Sequence, residues 1–277
     1  PRMSATGGLL AGRRGLIMGV ANDKSIAWGI AQAAADQGAE LAFTYQNDSF
    51  ARRVRPLAES VGSDLLIPCD VSDDADLDRA FAQLRESWDR LDFVVHAIAY
   101  SDKNELKGRY VETSRENFRH TLSISAYSFT GVAQRAMAMM PNGGSLLTLT
   151  YLGAQRVTPN YNVMGVAKAA LEASVRYLAA DLGPHGIRVN ALSAGPMRTL
   201  AGSAIANARE TFRVSAEQAP LHRHTKLSEV GQSGLYLLSD LSVGVTGEVH
   251  HVDCGYHSIG MPHPERMNSE PAGEGSK

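Results

Sequence analysis

The sequence predicts the α/β class, with a doubly wound parallel sheet in one domain. Short apolar runs alternate with longer amphipathic segments along the chain, which is typical of repeated βαβ units. The first apolar run passes through a glycine-containing turn into a segment with helical periodicity. No linker, repeat or change of composition divides the 277 residues, of which 44% are hydrophobic and 20% charged. Together these observations favour a single-domain, Rossmann-like architecture.

The first half of the chain is predicted to contribute four strands and three helices. The fourth strand begins with Phe93 and is nearly all apolar, as expected at the centre of a parallel sheet. Gly38 ends the first helix, and the third helix has apolar residues at helical spacing. The strands are expected at 15–20, 40–45, 65–67 and 93–98, and the helices at 25–37, 48–60 and 73–88.

The second half continues the alternation. Pro159 fits the first turn of a helix that runs toward Gly183. Residues 1–261 are expected to form the single domain, and residues 262–277, rich in Pro, Gly, Ser and Glu, a flexible tail. The elements are expected as a helix at 114–140, a strand at 144–150, a helix from about 159 to 183, a strand at 187–192, a helix at 229–239 and a strand at 248–252.

Composition and charge exclude several classes of function. With a net charge of −2, the chain lacks the excess of positive charge that proteins use to bind nucleic acid or an anionic membrane surface. No signal peptide or membrane span is apparent, so a cytoplasmic protein is expected. The two cysteines, Cys69 and Cys254, are too few for a disulfide framework and are expected to be small buried hydrophobes. None of the nine histidines has a partner at metal-ligand spacing, so no metal site is expected.

Two tyrosines and a lysine form the most informative group. Tyr151 and Tyr161 are ten residues apart, and Lys168 follows Tyr161 by seven. Seven residues make about two helical turns, so Tyr161 and Lys168 share a face, roughly 10 Å apart in rise. A phenol can act as a proton donor, and a nearby ammonium is expected to lower its pKa. Without further context, the same spacing also fits one side of an ordinary helix.

A dinucleotide is the ligand that the first strand and turn favour. The segment from Gly19 to Gly29 leads into a helix, whose unpaired N–H groups suit a pyrophosphate. Its spacing departs from the usual G-x-G-x-x-G, so a tight turn with Ser25 as N-cap remains an alternative. Gln46, after the second strand, carries no charge to attract a 2′-phosphate, which favours NADH over NADPH. Asp70, after the third strand, is expected at the adenine, although a plain surface turn fits it equally.

Motifs that carry a family resemblance extend from about residue 10 to residue 261. They lie at 19–22, 25–29, 41–47, 69–71, 147–154, 159–165, 193–201 and 247–249. With these motifs the chain resembles the short-chain dehydrogenase/reductase superfamily and, within it, the bacterial NADH-dependent enoyl-acyl-carrier-protein reductases of type II fatty-acid synthesis. Six residues separate Tyr161 from Lys168. This gap is similar to that of the enoyl reductases, whereas ordinary superfamily members have three.

The resemblance implies the reduction of trans-2-enoyl thioesters on acyl-carrier protein by hydride transfer from NADH, the last step of the elongation cycle. It implies that Tyr161 stabilises the enolate, that Lys168 binds the nicotinamide ribose, and that Tyr151 lines the acyl site. It also implies a homotetramer, a substrate contact at Ser101 and a helical substrate-binding lid at 199–212. The implied cofactor contacts are Gly19, Ser25, Ile26, Gln46, Asp70, Val71, Ile98, Lys168, Met197, Arg198, Thr199, Leu200 and Ala201.

Two other functions fit parts of the pattern. A carbonyl-reducing short-chain dehydrogenase usually has a serine upstream of its tyrosine, where this chain has Thr148, and the six-residue gap speaks against it. A catalytically silent dinucleotide-sensing protein would keep the same fold, and the retention of Tyr161 and Lys168 speaks against that function.

The chain departs from the family pattern at two positions, and it carries a group of cations near the expected lid. Ala99 and Cys254 stand where glycines are usual, and a positive φ at Cys254 would strain the backbone. The cations fit contacts with an acidic carrier protein, although a solvated basic surface is the simpler interpretation. They are Arg209, Arg213, Arg223 and Lys226.

Overall fold

Seven parallel strands form one sheet in the computed structural model, which describes residues 7–197, 199 and 208–261. The strands are β1 Arg14–Met18, β2 Glu40–Tyr45, β3 Leu66–Pro68, β4 Phe93–His96, β5 Gly144–Thr150, β6 Ile187–Ala194 and β7 Val249–Val252. Their order in the sheet is β3-β2-β1-β4-β5-β6-β7. The predicted doubly wound sheet is therefore confirmed, with β4 at its centre.

Helices cover both faces of the sheet. They are α1 Ile26–Asp36, α2 Asp48–Ser60, α3 Asp74–Ser87, α4 Arg115–Leu122, α5 Ser128–Met137, α6 Asn162–Leu182, α7 Ala208–Gln218 and α8 Leu227–Leu238. Successive strand residues point to opposite faces, so Val94 packs in one hydrophobic cluster and Val95 in the other. The cluster around Val94 includes residues of α3, α5 and α6, and the cluster around Val95 includes residues of α1, α2 and α8. The fold thus has three layers.

The order of the strands positions the functional site. From β1 the chain moves outward to β2 and β3, then returns to the other side of β1 to form β4. The connections after β1 and β4 therefore diverge, which opens a crevice at the carboxyl ends of these two strands. Ligands of doubly wound sheets bind in such a crevice.

Two helix boundaries differ from the sequence-based expectations. The helix carrying Lys168 begins at Asn162 rather than near Pro159, because Asn160 has a φ of 61° and breaks the helical path. Tyr161 is consequently its N-cap residue. The expected single helix at 114–140 is divided by a π-helical turn, Ser123–Tyr127, between α4 and α5. The expected tail, 262–277, lies outside the described residues.

Cys254 occupies a backbone conformation that favours glycine. Its φ is 58°, and Gly255 follows with a φ of 86°. The left-handed conformation costs a residue with a Cβ about 1 kcal/mol. The expectation that the departure from glycine strains this position is therefore confirmed.

Replacing Cys254 with glycine is expected to raise the free energy of unfolding by about 0.5–1 kcal/mol, because the backbone strain is relieved. Urea denaturation measures the change. Cys254→Ala is the matched control, since alanine also loses the thiol contact to Thr225 (Sγ to Oγ1, 3.6 Å) but keeps the Cβ. A glycine variant no more stable than the alanine variant would contradict the strain at this position.

Candidate active site

The two tyrosines meet at the carboxyl edge of the sheet. Tyr151 follows β5 directly, and Tyr161 precedes α6. Their rings lie edge to face, with centroids 5.0 Å apart and planes at 74°. A Cβ added to Gly153 would lie 2.3 Å from Cδ1 of Tyr161, so the glycine provides the space for that ring. The ten-residue spacing in the sequence therefore corresponds to direct contact.

Burial determines the protonation of both phenols. It raises the pKa of Tyr151 to about 12 and raises the pKa of Tyr161 still further. Tyr161 is only 7% exposed, and the charges of Tyr151 and Glu172 oppose its ionisation as well. The expected lowering of the pKa of Tyr161 is therefore wrong for the net shift, because burial raises the pKa. Both phenols stay protonated near neutral pH and can donate hydrogen bonds.

Lys168 is a buried cation on α6, the helix that Tyr161 precedes. Its Nζ donates to the carbonyl oxygen of Leu149 at 2.7 Å, which uses one of its three N–H donors. Burial lowers the pKa of Lys168 to about 8, and the charge of Glu172 opposes this effect. The side chain is therefore mostly an ammonium near pH 7, with a positive charge in a region of low dielectric.

The turn after β1 has the geometry of a phosphate-binding turn. Gly19 has a φ of 98°, and a Cβ there would lie 2.1 Å from the carbonyl oxygen of Ala97. Ser25 does not cap α1 with its side chain. Its Oγ instead accepts from the backbone N–H groups of Ala21 (2.9 Å) and Asn22 (3.1 Å). These internal hydrogen bonds fix the conformation of the turn. The first backbone N–H groups of α1, which begins at Ile26, are suited to bind an anion.

Gln46 and Asp70 lie together at the ends of β2 and β3. The Gln46 amide donates to Oδ2 of Asp70 at 3.1 Å, while Ser72 donates to Oδ1 through its N–H and its hydroxyl. Burial opposes ionisation of Asp70, but these hydrogen bonds outweigh it and lower the pKa of the carboxyl. An uncharged amide and a carboxylate present acceptors for ribose hydroxyls and repel a 2′-phosphate. Val71 is buried beside them.

The remaining expected cofactor contacts are only partly described. Ile98 follows β4 and packs against the cluster of Val94, and Met197 packs against the opposite cluster. The N–H of Thr199 donates to the carbonyl of Met197 at 2.8 Å. Arg198, Leu200 and Ala201 lie outside the described residues, as does most of the expected lid.

Ser101 belongs to a polar network. Its Oγ accepts from the hydroxyl of Thr121 at 2.9 Å and from Nδ2 of Asn117 at 3.2 Å. The N–H of Asp102 donates to Oδ1 of the same asparagine at 3.1 Å. The network anchors the segment after β4 to α4.

A cleft of about 440 Å³ opens beside Tyr151. Apolar groups of Val157, Val214 and Met261 contribute to its walls, which come from the segment before α6, from α7 and from the end of the described chain. Polar side chains such as Arg156, Glu210 and Gln218 line the rest of the cleft. A mixed cleft next to a phenol suits an acyl chain whose carbonyl group needs a hydrogen-bond donor.

Two of the four cations expected near the lid form ion pairs with glutamates. Arg213 pairs with Glu210 and with Glu217 within α7, and Arg223 pairs with Glu229.

Within the described part of the chain, the His, Cys, Asp and Glu side chains form no group of three that could hold a metal ion. None of the helices described there is long and apolar enough to cross a bilayer.

The sequence analysis did not single out Glu172, which is buried next to the site. The Thr150 hydroxyl donates to its Oε1 at 2.7 Å, and the Gln155 amide donates to its Oε2 at 3.2 Å. Its position one turn after Lys168, on the same helix face, is the signal that could have identified it.

His96 is a second such residue, at the end of β4. It is fully buried, with Nδ1 3.0 Å from Oγ1 of Thr148 and Nε2 2.8 Å from Oγ of Ser128. Burial, with a smaller contribution from the charge of Lys168, lowers the pKa of His96 to about 3. Its place in a strand of otherwise apolar residues is the sequence signal.

His96 is expected to make the fold sensitive to acid. Its pKa is 6.5 in an ordinary environment and about 3 when folded. As the pH falls from 6.5 toward 3, only the unfolded chain binds this proton, so stability is lost in that window and not above it. Between pH 7 and pH 4, the free energy of unfolding of His96→Gln is expected to fall by about 3 kcal/mol less than that of the wild type. Urea unfolding at both pH values measures this, with the exposed His185→Gln as control, and equal losses in all three proteins would contradict it.

Comparisons with known proteins identify relatives along almost the whole chain. A family model described as enoyl-(acyl carrier protein) reductase matches residues 19–257. The chain is 61% identical over 259 residues to enoyl-acyl-carrier-protein reductase (NADH) 1 of Rhizobium meliloti, an alignment that covers 94% of this chain and 95% of that protein.

Solved structures agree with this relationship. The enoyl-acyl-carrier-protein reductase of Anaplasma phagocytophilum, solved in complex with NAD, has a TM-score of 0.90 and 59% identity, with 93% of this chain and 98% of that chain covered. FabI of Candidatus Liberibacter asiaticus has a TM-score of 0.91 and 55% identity, with coverages of 93% and 100%.

Proposed function

The chain belongs to the enoyl-(acyl carrier protein) reductase family, and from this premise we propose that it reduces enoyl thioesters on acyl-carrier protein with NADH. This is the last step of type II fatty-acid elongation. The observation that carries the proposal is the edge-to-face contact at the edge of the sheet between Tyr161, which is buried, and Tyr151, which is half-buried. Burial keeps both phenols protonated, and Lys168 on the following helix is a buried cation.

Each of the three site residues has its own proposed role in the reaction. Tyr161 donates a hydrogen bond to the thioester carbonyl oxygen and stabilises the negative charge that develops there. Because its pKa is raised, Tyr161 remains a donor throughout the working pH range. Lys168 holds ribose hydroxyls with N–H donors and adds positive charge nearby. Tyr151 lines the acyl site and, through its contact with the other ring, limits the rotation of Tyr161.

The described residues fit NADH. The Gly19 turn and the start of α1 would hold the pyrophosphate, and Gln46 with Asp70 would hold the adenosine end. When bound there, NADH supplies the hydride for the β-carbon of the substrate. The absence of a positive charge on Gln46 favours NADH over NADPH. Ser25, Ile26, Val71, Ile98 and the run from Met197 to Ala201 complete the proposed contacts.

The structure disfavours a carbonyl-reducing dehydrogenase. Such an enzyme needs a hydroxyl that faces the substrate upstream of its tyrosine. At that position Thr148 is fully buried, and its Oγ1 donates to the carbonyl oxygen of His96 at 3.1 Å. This hydroxyl is therefore directed into the sheet.

We extend the proposal to the protein's partners and surroundings. Acyl-carrier protein delivers the substrate, and the protein works in the cytoplasm as a homotetramer whose chains each form one domain over residues 1–261. Light scattering of the purified protein should report four chains.

One assay tests the proposed reaction. NADH oxidation is followed with a crotonyl or longer enoyl thioester and, separately, with a β-ketoacyl thioester. We expect oxidation with the enoyl substrate, and a kcat/KM for NADPH lower than that for NADH. Oxidation with the ketoacyl substrate alone would reject the assignment.

A further inference from the structure

Glu172 is a buried charge that the proposed reaction does not yet use. The residue is 6% exposed, although a carboxylate is costly to bury without partners. Each of its oxygens has one donor: Oε1 accepts from Thr150 at 2.7 Å, and Oε2 accepts from Gln155 at 3.2 Å. These two donors flank Tyr151 in the sequence. The carboxylate therefore ties the segment that carries Tyr151 to helix α6.

Glu172 lies about one helical turn from the site's cation. It follows Lys168 by four residues, which places both side chains on one helix face. Its charge raises the pKa of Lys168 and so counteracts the effect of burial. The same charge opposes ionisation of Tyr161. One buried anion thus favours the ammonium form of the lysine and the neutral form of the phenol.

Other titratable groups surround this pair. His96, on β4, is affected by the charge of Lys168. His251, on β7, is affected by Glu172, by Asp253 and by His257, whose ring stacks on that of His251 with centroids 4.1 Å apart. Burial lowers the pKa of both His96 and His251, so both are neutral near pH 8. Burial is the main influence on the pKa of Lys168, and Glu172 is the anion that counteracts it.

We propose that Glu172 is a positioning residue, whose buried carboxylate holds Lys168 as an ammonium and fixes the segment carrying Tyr151 against α6. The inference rests on the proposed function for its catalytic consequence, but the effect on Lys168 is a property of the chain itself. It can therefore be measured without substrate or cofactor.

The primary test is the titration of Lys168 by carbon-13 NMR of labelled lysine, with the signal assigned by its loss in Lys168→Met. Glu172→Gln keeps the shape of the side chain and removes its charge. We expect the titration midpoint of Lys168, about 8 in the wild type, to fall by about one pH unit or more. Thr150→Val is the matched control, because it removes a hydrogen bond to Glu172 but leaves the charge, and we expect an unchanged midpoint.

The pH dependence of turnover gives the catalytic readout. Activity needs the ammonium form, so it is present below the pKa of Lys168 and lost above it. In a plot of kcat/KM against pH, the fall in activity at high pH is therefore expected to move to lower pH in Glu172→Gln. The size of this move should equal the shift of the Lys168 titration midpoint. Thr150→Val is expected to raise KM for the enoyl thioester without moving this fall in activity, because Tyr151 is less firmly held.

Different results would overturn the role of Glu172 and the proposed enzymatic function. An unchanged Lys168 midpoint in Glu172→Gln would overturn the role of Glu172, whether or not the wild type reduces enoyl thioesters. An inactive wild type in which the midpoint still shifts would overturn the proposed function alone. If Glu172→Gln does not fold, Glu172→Asp replaces it, since a carboxylate withdrawn by one methylene should lower the midpoint in the same direction. No shift in that variant would also overturn the role.

Discussion

Replacing Tyr161 with phenylalanine is expected to lower kcat for the enoyl thioester by about 10²-fold, because the site loses the donor to the developing enolate oxygen. KM should change less, since the hydroxyl contributes most when charge accumulates on the oxygen. Steady-state kinetics with NADH and crotonyl thioester measure both constants. The phenyl ring preserves the edge-to-face contact with Tyr151, so the fold should remain intact.

Two control variants test whether the fall in kcat is specific to the hydroxyl of Tyr161. Tyr177→Phe removes a hydroxyl from the same helix at a ring that is 77% exposed, and it should leave kcat unchanged. Tyr151→Phe tests the other ring of the pair, and we expect a smaller fall in kcat than for Tyr161→Phe. A kcat for Tyr161→Phe within twofold of the wild type would remove Tyr161 from its proposed role.

Replacing Lys168 with methionine is expected to lower kcat/KM by about 10³-fold, because the change removes both the ribose donors and the positive charge. Methionine fills a similar volume, so the effect should come from lost charge rather than from a cavity. NADH binding should weaken at least about tenfold, as expected for a lost hydrogen bond to a charged group. Fluorescence titration with NADH measures this change separately from turnover.

The exposed Lys107→Met is the control for this variant and should leave both quantities unchanged. NADH affinity and kcat/KM equal to those of the wild type in Lys168→Met would show that the cofactor does not lie beside this lysine.

The strands and most helices could be predicted because the two kinds of element have different local patterns. The boundaries of β2, α2 and β5 agree with the expected residues. The two strands are short, nearly continuous buried runs, as is typical of a parallel sheet, whereas the apolar residues of α2 recur at helical spacing. The start of α6 could not be found in this way, because Pro159 is compatible with a first turn and the positive φ of Asn160 is not encoded by periodicity.

The group of Tyr151, Tyr161 and Lys168 is a prediction from their spacing, and the structure shows the contact between the two rings. Its electrostatics could not be predicted, since the pKa of Tyr161 shifts upward rather than downward. Burial causes this shift, and burial depends on packing between segments distant in the sequence. Glu172 accepts hydrogen bonds from Thr150 at the end of β5 and from Gln155 beyond it, 22 and 17 residues away. Such pairs become visible only when the sheet and α6 are assembled.

The central claim is that hydride reaches a carbon–carbon double bond rather than a carbonyl. The most direct measurement uses NADH deuterated at the transferring position, with an enoyl thioester as substrate, and locates the deuterium in the product by NMR. The account predicts deuterium at the β-carbon of a saturated acyl thioester, with no label on the carbonyl carbon. Deuterium on the former carbonyl carbon of an alcohol or aldehyde product would contradict it.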